Sequence, residues 1–165
     1  PRERRGGRFR RLVEEALEQR LMLSANGSDL RTYRFAVAAT QEYTAFHGND
    51  RAAAYAEVVS IVDAINVVFN AELNVHFDLL VRFDLIYGPG NSPDPFTAAG
   101  ADPLPALDQD QALLDSVLGA DGYDIGHVFG TFTGGRASLA GAGVDFEKGR
   151  GASGIPVNGS NGPTW

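Results

Sequence analysis

Cysteine is absent from the 165 residues, methionine and tryptophan occur once each, and histidine occurs three times. The missing cysteine excludes a disulfide scaffold, cysteine-ligated zinc and a thiol nucleophile together. No run reaches the roughly 18 consecutive apolar residues that a membrane-spanning helix needs. Positive charge is in deficit: the net charge of −7 argues against a body built to bind nucleic acid. The N-terminus lacks the apolar core of a secretory signal, of roughly 7–15 residues, and no D-x-D-x-D-G calcium loop is present. What is there has globular composition, 44% apolar and 21% charged, with length for one domain and a real core. The chain starts at Pro1 rather than at a methionine and stops at Trp165 after a Gly/Asn/Pro stretch, so it is expected to be a piece of a longer protein.

Charge divides the chain in two. Residues 1–22 hold seven arginines and four glutamates, a net +3, which leaves −10 on the remainder. The expected organisation is therefore an Arg-rich leader or N-terminal extension at 1–30, followed by a single folded unit at 31–165. Phe9, Leu12, Val13, Ala16 and Leu17 fall at helical spacing, so 8–22 is read as a short amphipathic helix or, more blandly, a solvated tail. The stretch LEQRLMLSA at 17–25 resembles the Arg-rich leader LE-x-R-x-L-L-S-A of many exported bacterial proteins. That likeness implies a mature region starting near Asn26 and a secreted or cell-surface location. The N-x-S triplets at Asn26 and Asn158 fit a glycosylation sequon but arise readily by chance.

Along the body, 33–40 (YRFAVAAT) alternates and then runs apolar, as a buried strand does. A turn at 47–50 follows, where Asn49 or Asp50 can cap the next helix. From 52 to 71 Tyr55, Val58, Ile61, Val62, Ile65, Val68 and Phe69 share one helical face, with Glu57, Asp63, Asn66 and Asn70 opposite. Residues 75–87 (VHFDLLVRFDLIY) read as one long strand. A proline-rich loop spans 88–107, and Asp108 is expected to cap a helix that Gly119 stops. A third strand is expected at 123–132, an extended glycine-rich segment at 134–146 and a last short extended piece at 154–157. Strand–helix alternation predicts an α/β fold: a twisted, mostly parallel sheet with helices packed on it.

Most candidate chemistry dissolves on inspection. GRGASG at 149–154 fits GxGxxG, but Pro156 and β-branched neighbours oppose the helix a dinucleotide site requires. His47, His76 and His127 could in number ligate zinc, but no pair shares a helical face. His127, between Gly126 and Val128, is better read as a satisfied interior histidine. Asp108, Asp110, Asp121 and Asp124 are explained by capping and turns. There remains GGRASLAGAG at 134–143, whose small residues suit either a plain hairpin or a sheet edge able to pair with an extended peptide.

The segments YRFAVAATQEYT at 33–44, the helix from Ala52, YDIGHVF at 123–129 and LAGAG at 139–143, in this order, together resemble the bacterial reprolysin-like zinc metallopeptidases of the metzincin clan. The resemblance spans 33–165 and is to the N-terminal part of the catalytic domain. It implies a mixed sheet with one antiparallel edge strand forming the upper rim of a substrate cleft, and it places that edge at Arg136, Ala137, Ser138, Leu139, Ala140 and Gly141. It implies a peptide or protein substrate and zinc as the cofactor of the full-length protein. The family's H-E-x-x-H, which supplies zinc ligands and the glutamate that activates water, is absent here and would begin shortly beyond Trp165. These residues alone are thus expected to bind no metal, to contain no catalytic residue and to be inactive. Without the helix that follows, some of Phe35, Val37, Phe77, Leu79 and Val128 are expected to be exposed. Two other readings stand beside this one: a non-catalytic adhesion module of a surface protein, and an α/β nucleotide-binding domain.

Overall fold

The computed structural model describes residues 29–80, 82–91, 93–97 and 102–155. The amphipathic head, the leader-like stretch, both N-x-S triplets and the chain after Ile155 lie outside them. Five strands form one sheet: β1 (Arg31–Ala39), β2 (Val75–Leu79), β3 (Ile125–Gly130), β4 (Gly135–Ala137) and β5 (Gly151–Gly154). Their order is β2-β1-β3-β5-β4, every neighbouring pair parallel except the antiparallel β4–β5 edge pair. Among the described residues three α-helices accompany them: α1 (Gln41–Phe46), α2 (Arg51–Leu73) and α3 (Leu104–Leu118).

The alternation of β1 decides which helix packs where. Phe35, Val37 and Ala39 point to the face covered by Val58 and Val62 of α2, while Ala36 and Ala38 point to the face covered by Leu107 and Leu114 of α3. The second face is built from small residues, so α3 comes close. A Cβ on Gly126 would meet Leu114 Cδ1 at 2.3 Å, a distance no side chain tolerates. Arg34 holds β1 to the entry of β3: its guanidinium donates to both carboxylate oxygens of Asp124 (3.0 and 2.7 Å) and to the Asp121 carbonyl (2.7 Å).

Several expectations are corrected. The expected strand at 75–87 leaves the sheet after Leu79, makes a 3₁₀ turn at Phe83–Leu85 and returns only as a single bridge from Ile86 to Ala39. Arg51 fixes that detour by donating to the carbonyls of Ile86 and Phe83, each at 2.7 Å. The 88–107 loop ends early, because α3 begins at Leu104. Asp102 Oδ1 accepts the Leu104 N–H (2.9 Å), and Pro105 sits in the first turn, where a missing N–H costs nothing. Asp108 is therefore not a cap. Helix α1 was not foreseen: Thr40 caps it through the Tyr43 N–H, but six residues are too few to show a helical period. On α2, Asp50 caps as expected, accepting from Ala52 and Ala53, whereas Asn66 is buried and Val68 exposed, the reverse of the expected faces. Phe35, Val37 and Val128 are buried after all, and Phe77 and Leu79 half-buried, because α2 and α3 already cover them.

Candidate functional site

The two edges of the sheet differ. On β2, the Arg31 N–H donates to Asn74 O and the Leu80 N–H to Phe35 O, so by alternation Phe77 turns its own N–H and carbonyl away from β1. Both are taken by one side chain: Asn66 Oδ1 accepts the Phe77 N–H (2.7 Å) and Nδ2 donates to the Phe77 carbonyl (2.9 Å). The middle of that edge is thus occupied. At the other end β4 pairs with β5 alone, in the register Gly135↔Ser153, Arg136↔Ala152 and Ala137↔Gly151. The Gly154 N–H donates to Gly134 O (2.8 Å) and the Ser138 N–H to Arg150 O (2.9 Å). The same alternation turns the N–H and carbonyl groups of Gly135 and Ala137 outward. All three β4 residues are exposed, and among the described residues the edge is open.

The predicted site residues divide. Arg136 and Ala137 lie in β4, and Ser138 continues its ladder through the bond to Arg150. Leu139, Ala140 and Gly141 do not continue the strand, so the expected extended run at 134–146 is corrected. Ala140 is left-handed (φ 58°), as is Gly143 (φ 70°), and the Gly143 N–H reaches back to Asp124 O (2.8 Å). The chain thus turns back toward the start of β3, with Leu139, two residues past β4, 97% exposed and Phe146 79% exposed. Arg136 makes a loose contact with Asp102 at 3.6 Å.

Two arrangements that sequence reasoning missed hold this end of the sheet. Arg150 ties β4, β5 and α3 together, with Nε donating to Ser138 Oγ (3.1 Å) and a guanidinium nitrogen 2.6 Å from Asp108. On α3, Gln111 accepts the Gly149 N–H (2.6 Å) and donates to Asp115 and Tyr123 Oη, while the Tyr123 hydroxyl donates to Asp115 (all 2.9 Å). Burial, with that bond to carboxylate, pushes the Tyr123 phenol up. The one sequence signal for Gln111 is its place between Leu107 and Leu114 on an apolar helix face. Lys148, also buried, donates to Ala120 O and Asp145 Oδ1.

Beneath Ala137 and Ser138 lies a hollow of about 270 Å³, whose lining includes Ile125, His127 and Gly151. His127 is half-buried and lines this hollow, with no hydrogen-bond partner among the described residues. It packs against the rings of Phe35 and Phe129, and burial lowers its pKa to about 4. It is a neutral imidazole at physiological pH. GRGASG holds no phosphate loop: Gly151–Gly154 is strand β5. Among the described residues no group of three or more His, Asp or Glu side chains could hold a metal ion. His47 closes α1, and His76 lies on β2 beside Asn70. The described residues by themselves do not fit a zinc site. By length and mean hydropathy α2 could cross a membrane, which qualifies the sequence expectation, but here it packs on the sheet.

One family model, described as metallo-peptidase family M12B, reprolysin-like, matches residues 29–161. No curated protein matches the chain.

Proposed function

The chain belongs to the reprolysin-like metallopeptidases of family M12B, and from that premise we propose that it is the substrate-holding portion of an exported, zinc-dependent endopeptidase. The observation that carries the proposal is the asymmetry of the sheet edges. At β2 the outward main-chain groups of the middle residue, Phe77, are taken by Asn66, whereas β4 offers those of Gly135 and Ala137 to a further strand. A substrate peptide adds itself antiparallel to β4 through those groups, which sets its register and direction. The hollow below Ala137 and Ser138 has room for one inward side chain, and exposed Leu139 follows β4 by two residues. The described residues supply no metal-ligand set. In this reading the part of the described residues is to bind and orient the peptide, and zinc would be held by residues outside them. Export is supported by the leader-like 17–25 stretch.

Proline tests the edge, because its effect depends on which way each N–H points. Ala137→Pro removes an outward donor and leaves the β4–β5 ladder intact. In the full-length peptidase it is expected to lower kcat/KM for peptide cleavage by about 3–10-fold, the equivalent of one main-chain hydrogen bond, with thermal unfolding little changed. Arg136→Pro removes a donor to β5 and is expected to destabilise the fold instead. A folded Ala137→Pro enzyme with unaltered kcat/KM would exclude substrate pairing at β4.

A further inference from the structure

Strand β4 consists of Gly135, Arg136 and Ala137, and only Arg136 carries a side chain longer than a methyl group. Its place on the ladder decides what that side chain meets. The Gly134 carbonyl and the Ser138 N–H both turn toward β5. By alternation the main-chain groups of Arg136 do the same, between outward-facing Gly135 and Ala137. A strand added outside β4 therefore bonds to Gly135 and Ala137 and sets one residue opposite Arg136, in a non-hydrogen-bonded pair. Such pairs have the closer approach of an antiparallel ladder, about 4.5 Å between Cα atoms against about 5.5 Å, so the facing side chains touch. The two faces of the sheet separate the neighbours. Arg136 pairs with Ala152, which packs under α3, and its guanidinium lies on that face, 3.6 Å from Asp102 just ahead of the helix. Gly135 and Ala137 look to the other face, where Ala137 borders the hollow.

We propose that Arg136 selects the substrate: the peptide residue opposite it is acidic, aspartate or glutamate, and the residues on either side of that one escape charge selection by β4. The inference rests on the reading of β4 as the substrate-pairing edge. The guanidinium is available for the task. Its ion pair with Asp102 is long, and both side chains are more than half exposed, 52% and 67%, so the pair contributes little. A planar fork of five N–H donors has capacity left for a second carboxylate. The other charges at this end of the sheet are engaged with one another: Arg150 lies 2.6 Å from Asp108 and 3.4 Å from Glu147. Gly135 and Ala137 present no side chain that discriminates by charge. The net charge of −7 acts in the opposite sense and favours cationic peptides at every position alike. A preference for acid confined to one position therefore identifies a facing residue and not the general field.

A position scan with the full-length peptidase tests this. A peptide that it cleaves is made with Glu, Gln or Lys at each position in turn. The kcat/KM values are measured for the unmodified enzyme and for Arg136→Gln, Arg136→Glu and Ala137→Pro, with thermal unfolding of each to establish that it is folded. At one position Glu is expected to exceed Lys by about 3–10-fold, the difference between unlike and like charges directly opposed across two strands. Arg136→Gln should level that ratio and Arg136→Glu should invert it, with the ratios at the two adjacent positions unmoved. Added salt should shrink the preference. Arg136→Gln carries the test alone if Arg136→Glu unfolds through repulsion from Asp102. Ala137→Pro is expected to lower kcat/KM whichever residue is scanned. If it does so while no Glu/Lys ratio responds to Arg136, the selection is overturned and pairing at β4 stands. If Ala137→Pro changes nothing, both fall. Ratios that shift by the same factor at every position also overturn the selection, because they report net charge alone.

Discussion

Asp110 is fully buried, and neither carboxylate oxygen has a hydrogen-bond partner among the described residues. It projects from α3 into the core between that helix and the alanine face of the sheet, close enough to Tyr87 and Tyr123 to raise the pKa of both phenols. Burial pushes its own pKa well above the ordinary carboxylate range. The sign of the linkage follows. A carboxyl that binds its proton more tightly folded than unfolded contributes stability at low pH, and that contribution is lost as pH rises from about 3.8 through the folded value. Asp110→Leu keeps the apolar packing and removes the orphaned group. It is expected to stabilise the protein by about 1–3 kcal/mol at pH 7, with a smaller gain near pH 4. Thermal unfolding of both proteins across that range checks it, and destabilisation at pH 7 would mean that Asp110 has a partner after all. The composition held no hint of this residue: Asp110 looked like one of four carboxylates in caps and turns, and only the placement of α3 shows which one was carried inside.

At the scale of elements, legibility followed the length of the pattern. The nine residues of β1 and the 23 of α2 carry enough alternation or periodicity to announce themselves, and Asp50 and Gly119 mark helix ends as expected. Six-residue α1 does not, and the break after Leu79 is invisible in a stretch whose every residue suits a strand. There a tertiary contact, Arg51 to two carbonyls of the detour, overrides local preference. Asn66 shows the same limit. On the helical wheel it belongs with the polar residues, yet it is buried because it serves the backbone of β2. Asn66→Leu fits the apolar surroundings but strands the Phe77 N–H and carbonyl. It is expected to cost about 1–3 kcal/mol, to speed exchange of the Phe77 amide and to promote self-association through the newly open edge. Unchanged Phe77 exchange in the variant would show that Asn66 is not what closes β2.

For the whole molecule, the parallel sheet with one antiparallel edge was readable from element order and family resemblance together. The position of the candidate site was readable only in part: Arg136 and Ala137 are on the open edge, and Leu139 to Gly141 turn under it because two left-handed residues, one of them Ala140, are not announced by composition. The consequence for function is a separation of tasks. The described residues build an edge, a hollow and the Arg150 and Gln111 ties that hold both in place, and the three histidines are distributed over α1, β2 and β3 without convergence. Hydrolysis assisted by a metal needs two or three ligands on one centre with an open position for water, and the described residues bring no three such side chains together. The 165 residues supplied with zinc are therefore expected to release no peptides from casein, while full-length protein does so and is stopped by a chelator. Chelator-sensitive cleavage by the 165 residues alone would mean that segments outside the described residues complete a zinc site within this chain.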